Sequence, residues 1–153
     1  MLTSRWVLLA IVHLGATWMM TGLIWTIHVV HYPLFDKVGA ATYEAFQTEH
    51  MRRISQLLLV PWGVEALTAI GLVIVAPTAR LRVLALIGLA LFGLVVLVTG
   101  LGAAPIHGRL VSGFDADEHR RLLQVDLVRT LLWTARGVLA AAIVWLSVSP
   151  TAT

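Results

Sequence analysis

Long apolar runs alternate with polar stretches along the chain, and each run is about 20 residues or more, the length an α-helix needs to cross the hydrocarbon core of a bilayer. The pattern predicts spans at 6–30, 54–76, 83–104 and 127–148. Proline cannot continue the helical hydrogen-bond ladder, so Pro33 after Tyr32, Pro77 and Pro105 are expected to end the first three. The tight Pro77-Thr78-Ala79-Arg80 turn makes spans two and three antiparallel neighbours. The longer connections, 32–53 and 105–126, then fall on one membrane face. In the first of them, Tyr43, Phe46 and Met51 set against Glu44, Glu49 and Arg52 predict a short interfacial helix over 40–53. In the second, Asp115 and Glu118 have N-cap and N3 spacing, so the fourth helix should start near Ala116 and run unbroken into the membrane. The expected fold is all-α: one integral-membrane domain over 1–153, an antiparallel four-helix bundle with a short interfacial helix between spans one and two.

Composition strengthens this reading. Of 153 residues, 59% are hydrophobic and 12% charged, and the mean hydropathy is +0.88, where soluble domains are roughly a quarter charged. The reading is a multi-pass protein of a bacterial inner (cell) membrane, with the lipid bilayer as its first partner. Its formal charge of +3 comes from basic residues that never cluster, which argues against nucleic acid. Cysteine is absent, so disulfides, iron–sulfur clusters and covalent c-type haem are excluded together. No charged residue other than histidine occurs between Trp6 and Phe35, too long an interval for a cleaved signal, so the first segment reads as a retained span. Lysine and arginine are more numerous on the long connections than beside Arg5, Arg80 and Arg82, which favours cytoplasmic connections unless Arg52, Arg53 and Arg109 serve a site.

The polar residues inside the spans carry the chemistry. On a helical wheel His13, Thr17, Thr21, His28 and His31 form one stripe of the first span, which must face protein or trapped water because lipid would penalise each member. His119, Asp126, Arg129, Trp133 and Arg136 line one side of the fourth helix, with Asp126 placed to pair with Arg129. Glu65 and Arg136 lie deepest. At about 1.5 Å per residue they are roughly 17 Å and 20 Å from the terminal-face ends of their spans, a matched depth that suits a buried ion pair. The alternatives for Glu65 are a proton-accepting carboxylate or a metal ligand.

Five of the six histidines gather at the end of the long connections. His28-x-x-His31 would put both imidazoles on one helical face, and His50 or His107 would complete a metal site; haem would need opposed histidines, for which His28 and His107 are the pair at similar depth. The Glu-x-x-His repeat of di-iron bundles is missing, as is any Gly-x-Ser-x-Gly elbow. Gly100-Leu101-Gly102 precedes Pro105 and reads as close packing, and Gly137 with Ala141 makes a small-residue step suited to another helix, in this chain or in a second copy.

His28-x-x-His31-Tyr32-Pro33 after the first span, Pro105-x-His107-x-x-Leu110 after the third and Arg129-x3-Trp133-x2-Arg136 in the fourth resemble a family of small bacterial four-span membrane proteins. More loosely the layout resembles the domain-of-unknown-function family that contains anthrone oxygenase-like proteins, whose Pro-x-Asn after the third span is replaced here by Pro105-x-His107. The resemblance implies a membrane site of His31, His107, Arg129 and Arg136 acting on a hydrophobic aromatic or quinone-like molecule.

The leading expectation is a polar His/Arg pocket that binds a hydrophobic ligand, a quinone-like molecule, haem or a metal, with oxidoreductase-like chemistry as the enzymatic option. His28, His31, His50 and His107 are its ligand or proton-transfer groups and Arg129 an anchor for an anion or carbonyl. The alternatives are a small proton-coupled transporter using Glu65 and a structural partner of another membrane protein.

Overall fold

The structure, a computed structural model, describes residues 4–149. Four continuous helical rods, Ser4–Lys37, Ala40–Val75, Ala79–Leu110 and Ala116–Val148, are each long and apolar enough to cross a membrane. The chain is an all-α multi-pass membrane protein. Rod one is α1 (Ser4–Thr26) prolonged by a π-helical turn, Ile27–His31, and a 3₁₀ turn, Tyr32–Lys37. Rod two is α2 (Ala40–Val75). Rod three is α3 (Ala79–Val98), a second π-helical turn at Thr99–Ala103, and α4 (Ala104–Leu110); rod four is α5 (Ala116–Val148).

The two prolines expected to stop rods one and three do not. Each follows a π-helical turn by two residues: the Tyr32 amide donates back to Ile27 and the Ala104 amide back to Thr99, five residues in both cases. The wider turn re-phases the ladder, so that Pro33 and Pro105 occupy the first positions of new helical turns, where a missing N–H costs nothing. Pro77 behaves differently: α2 ends at Val75, and the hydroxyl of Thr78 accepts from the Leu81 amide at 3.2 Å to start α3. The separate interfacial helix over 40–53 is also corrected, because those residues are the first turns of α2 itself. At 1.5 Å per residue a rod of this length spans about 54 Å against a hydrocarbon core of about 30 Å. The charged starts of α2 and α5 lie at the end of the long connections, and this end is the head of the bundle.

α1 packs on α2 and α5, and α3 packs on the same two, so the helices form a square ring with α2 and α5 on one diagonal. Three apolar clusters fill it. Trp6, Leu72, Leu81 and Ile143 close the foot, Met20, Ile24, Val95 and Trp133 the middle, and Tyr32, Phe35, Tyr43, Leu110 and Leu122 the head. Leu59, Leu67, Ile74, Leu101 and Trp145 are exposed around the outside, as side chains bathed in lipid should be.

Asp115 fixes the start of α5: its carboxylate accepts from the amides of Asp117 and Glu118 at 2.8 Å each. Donation from the Glu118 amide is the largest influence holding its pKa below the ordinary aspartate value. Gly102, in the second π-helical turn, sets the approach of rods three and four, since a Cβ there would lie 2.9 Å from Cγ1 of Val125.

Gly137 is used within the chain. A Cβ there would meet Thr21 Oγ1 at 3.3 Å and Trp18 Cε2 at 3.4 Å, so it is where α1 crosses α5. Ala141, its expected companion, is exposed. The pair therefore does not form one free face for a second copy.

Candidate functional site

The π-helical turn Ile27–His31 separates the two histidines that the sequence spacing had placed on one face. His28 turns toward α5, where its Nδ1 lies 3.1 Å from Oδ2 of the fully buried Asp126. His31 turns toward α2, and its Nε2 shares a hydrogen bond of 2.9 Å with Nδ1 of His50. The extra residue in a π-helical turn breaks the usual i, i+3 alignment, which is the physical reason.

His107 is enclosed. Its Nε2 is 2.9 Å from the Tyr32 hydroxyl and its Nδ1 is 2.9 Å from the amide nitrogen of Gln47. That nitrogen can only donate, so Nδ1 accepts and a neutral His107 carries its proton on Nε2, facing Tyr32. With both ring nitrogens engaged, and His28 held by Asp126, the two residues do not offer opposed ligands to a haem. Among the described residues no group of three or more His, Cys, Asp or Glu side chains is arranged to hold a metal ion. His119 acts as a local tie, with its Nε2 donating to the Tyr32 carbonyl at 2.8 Å and so joining the end of rod one to α5.

Phe35 is the packing centre of the head. Its ring lies 5.3 Å from that of His31, 5.1 Å from His50, 6.3 Å from His107 and 6.2 Å from His119. His50 and His107 are themselves 5.3 Å apart between ring centres. The sequence stripe did not single out Phe35, Tyr32 or Gln47 as site residues. Gln47 was findable, because Gln47-x-x-His50 places both on one face of α2.

A cleft of about 320 Å³ opens beside this cluster, lined by His31, Phe46, Glu49, His50, Arg53, Ile54 and Leu57. Phe46, Ile54 and Leu57 are apolar, whereas Glu49 and Arg53 form an ion pair of 2.6 Å on the same turn of helix. The Nε2 atom of His50 is buried and has no partner. Whichever ring of the His31–His50 pair carries the shared proton, that nitrogen is left as an unmet acceptor or an unmet donor. Pro61, four residues on from Leu57 in α2, has no N–H to offer the Leu57 carbonyl.

Deeper in the bundle Arg129 donates to Asp126 at 3.3 Å, and Asp126 therefore holds both Arg129 and His28. Two turns further down, Arg136 reaches Glu65 across the diagonal at 2.9 Å and donates also to the Gly88 carbonyl at 2.5 Å. Its guanidinium lies 4.8 Å from the Phe92 ring centre and 5.1 Å from that of Trp133. His13 is held apart from the head, 2.8 Å from the Thr68 hydroxyl. Arg109, Arg120 and Arg121 pair with Glu118 or Asp117 on the exposed start of rod four and its approach.

Compared with family models, curated proteins and solved structures, the chain has no significant match to any of them.

Proposed function

We propose that this protein binds a hydrophobic aromatic molecule carrying a hydroxyl or carbonyl oxygen, of the quinol or quinone kind, in the cleft beside His31 and His50, in a bacterial inner membrane. The observation that carries the proposal is the buried, partnerless Nε2 of His50, a residue that lines a mainly apolar cleft together with its hydrogen-bonded neighbour His31. A hydroxyl on the ligand would supply the missing donor and a carbonyl the missing acceptor. Ile54, Leu57 and Phe46 suit an apolar ring, and the Glu49–Arg53 pair marks the polar rim. Two linked imidazoles pass a proton between them at little cost, which is the step an oxidoreductase-like reaction on such a ligand needs. The looser resemblance of the four-span layout to the anthrone oxygenase-like family, from whose Pro-x-Asn pattern His107 departs, favours the same ligand class. In this reading His107 positions Tyr32 and Gln47 around the cluster, while Arg129, Asp126 and His28 form a separate buried group that ties rod one to α5.

Binding of a short-chain quinol to detergent-purified protein tests this directly. His31→Ala and His50→Ala should each weaken binding about tenfold or more, while His13→Ala, which alters a distant polar contact, should not. Unchanged affinity in both cleft variants would refute the reading.

A further inference from the structure

Six of the seven residues that line the cleft belong to α2, from Phe46 to Leu57 at spacings of three, one, three, one and three, so they form one face over three helical turns. On that face charge does not balance. Glu49 is the one acidic residue of the lining, and its carboxylate is shared by two guanidiniums. Arg52, outside the lining, grips both oxygens, its Nε donating to Oε2 at 2.8 Å and its Nη2 to Oε1 at 2.7 Å. Arg53, which lines the cleft, reaches the same carboxylate through Nε alone, at 2.6 Å. Its two terminal nitrogens have no partner among the described residues. The group of three therefore carries one surplus positive charge.

Elsewhere on the head, basic residues are matched. Arg109, Arg120 and Arg121 stand against Asp115, Asp117 and Glu118, and Lys37 has Asp36. The next acidic residue of α2 toward the head, Glu44, is nine residues from Arg53, more than two helical turns away. The cleft thus offers two unmet groups, the free fork of Arg53 and the buried Nε2 of His50. A planar guanidinium fork matches a carboxylate. His50 and Arg53 are i, i+3 neighbours, with Cβ atoms about 5–6 Å apart, so one ring-sized molecule reaches both. The cleft volume of about 320 Å³ suits a single substituted ring.

We infer that the ligand of this cleft is an aromatic acid, a hydroxylated ring bearing a carboxylate, and that Arg53 is the residue that selects it. The inference rests on the reading of His31 and His50 given above and narrows it. An anionic lipid would satisfy Arg53 but lay an acyl chain against His50, leaving Nε2 unmet, whereas the acid serves both.

Gentisate, a hydroquinone bearing a carboxylate, and its neutral methyl ester share the ring and differ in charge. Titration calorimetry of the full chain in phosphatidylcholine nanodiscs compares them. The acid is expected to bind about tenfold tighter than the ester, the effect of a charge-assisted hydrogen bond. Arg53→Gln should remove that preference, and Glu49→Gln, which frees both arginines, should increase it. Opposite responses in two neighbouring variants are not what misfolding produces. His50→Ala should weaken both probes. An ester bound as tightly as the acid, with both weakened in His50→Ala, would overturn the acid and leave the cleft reading standing. Binding of neither probe to wild type would overturn both. A preference abolished when anionic phosphatidylglycerol replaces phosphatidylcholine would give Arg53 to a lipid headgroup and overturn its role in selection.

Discussion

Arg136 of α5 meets Glu65 of α2 at 2.9 Å across the diagonal of the ring, between two helices whose backbones do not pack on each other. Both side chains are almost completely buried, so each is the other's main compensation for leaving water. Removing one partner alone strands a charge. Glu65→Ala and Arg136→Ala are each expected to destabilise the detergent-solubilised protein by about 3–5 kcal/mol, read as loss of the monodisperse peak on mild heating. Glu65→Arg with Arg136→Glu should recover only part of this, because a carboxylate at 136 cannot donate to the Gly88 carbonyl that Arg136 now serves. A double variant no better than the singles would show that the pair is not what holds the diagonal. Unaltered single variants would return Glu65 to consideration as a coupling carboxylate for transport.

Tyr32 and His107 join the end of rod one to rod three through one hydrogen bond inside a buried cluster. Tyr32→Phe leaves the ring packing and removes the hydroxyl, so the Nε2 proton of His107 loses its acceptor. The expected cost is about 1–3 kcal/mol, that of a buried polar group left unmet. His107→Phe removes the polar ring as well and should cost less than His107→Ala, which opens a cavity beside Phe35. Thermal unfolding followed by helical circular dichroism orders the three variants; a Tyr32→Phe protein as stable as wild type would mean that the hydroxyl contributes nothing.

Much of the fold was legible because apolar run length and bilayer thickness are the same physical quantity. The start of α5 was legible for a similar reason, since Asp115 with Glu118 is a local signal that needs no tertiary partner. Depth counting placed Glu65 and Arg136 at one height. It could not tell that Arg136 also binds the Gly88 carbonyl, because nothing local marks a backbone acceptor on another helix. Pro33 and Pro105 misled for a definite reason, whereas Pro77 lies just past the end of α2 as expected. Pro33 and Pro105 are each preceded by a π-helical turn, and no periodicity in Ile27–His31 or Thr99–Ala103 announces it. The same turn sent His28 to Asp126 and His31 to His50, so the candidate residues were found as a group while their pairing was not.

Gly102 gives a geometric test of that π-helical turn. The methyl group of an alanine would stand 2.9 Å from Val125 Cγ1, and a β-branched side chain on a helix has little freedom to yield. Gly102→Ala should therefore push rods three and four apart and cost about 1–3 kcal/mol, the range for overpacking. Adding Val125→Ala should recover most of the loss by removing the obstructing methyl. Equal stability of Gly102→Ala and wild type in thermal unfolding would show that the approach is looser than 2.9 Å implies.

The cap of α5 gives a test in pH. The pKa of Asp115 is lower in the folded chain than its ordinary value, chiefly because the Glu118 amide donates to the ionised carboxylate. A group depressed on folding stabilises the fold above its unfolded pKa and loses that contribution as pH falls through the folded value. The start of α5 should thus weaken only in acid, below the normal aspartate range, and remain constant through neutrality. Asparagine accepts the same amide hydrogen bonds without titrating, so Asp115→Asn should keep the helix start while removing its acid sensitivity. Amide hydrogen exchange at Asp117 and Glu118, measured from neutral pH into acid and corrected for the intrinsic rate, reads this locally. Equal acid sensitivity in the asparagine variant and wild type would place the titration on another group, such as Glu118 with its Arg109 and Arg121 partners.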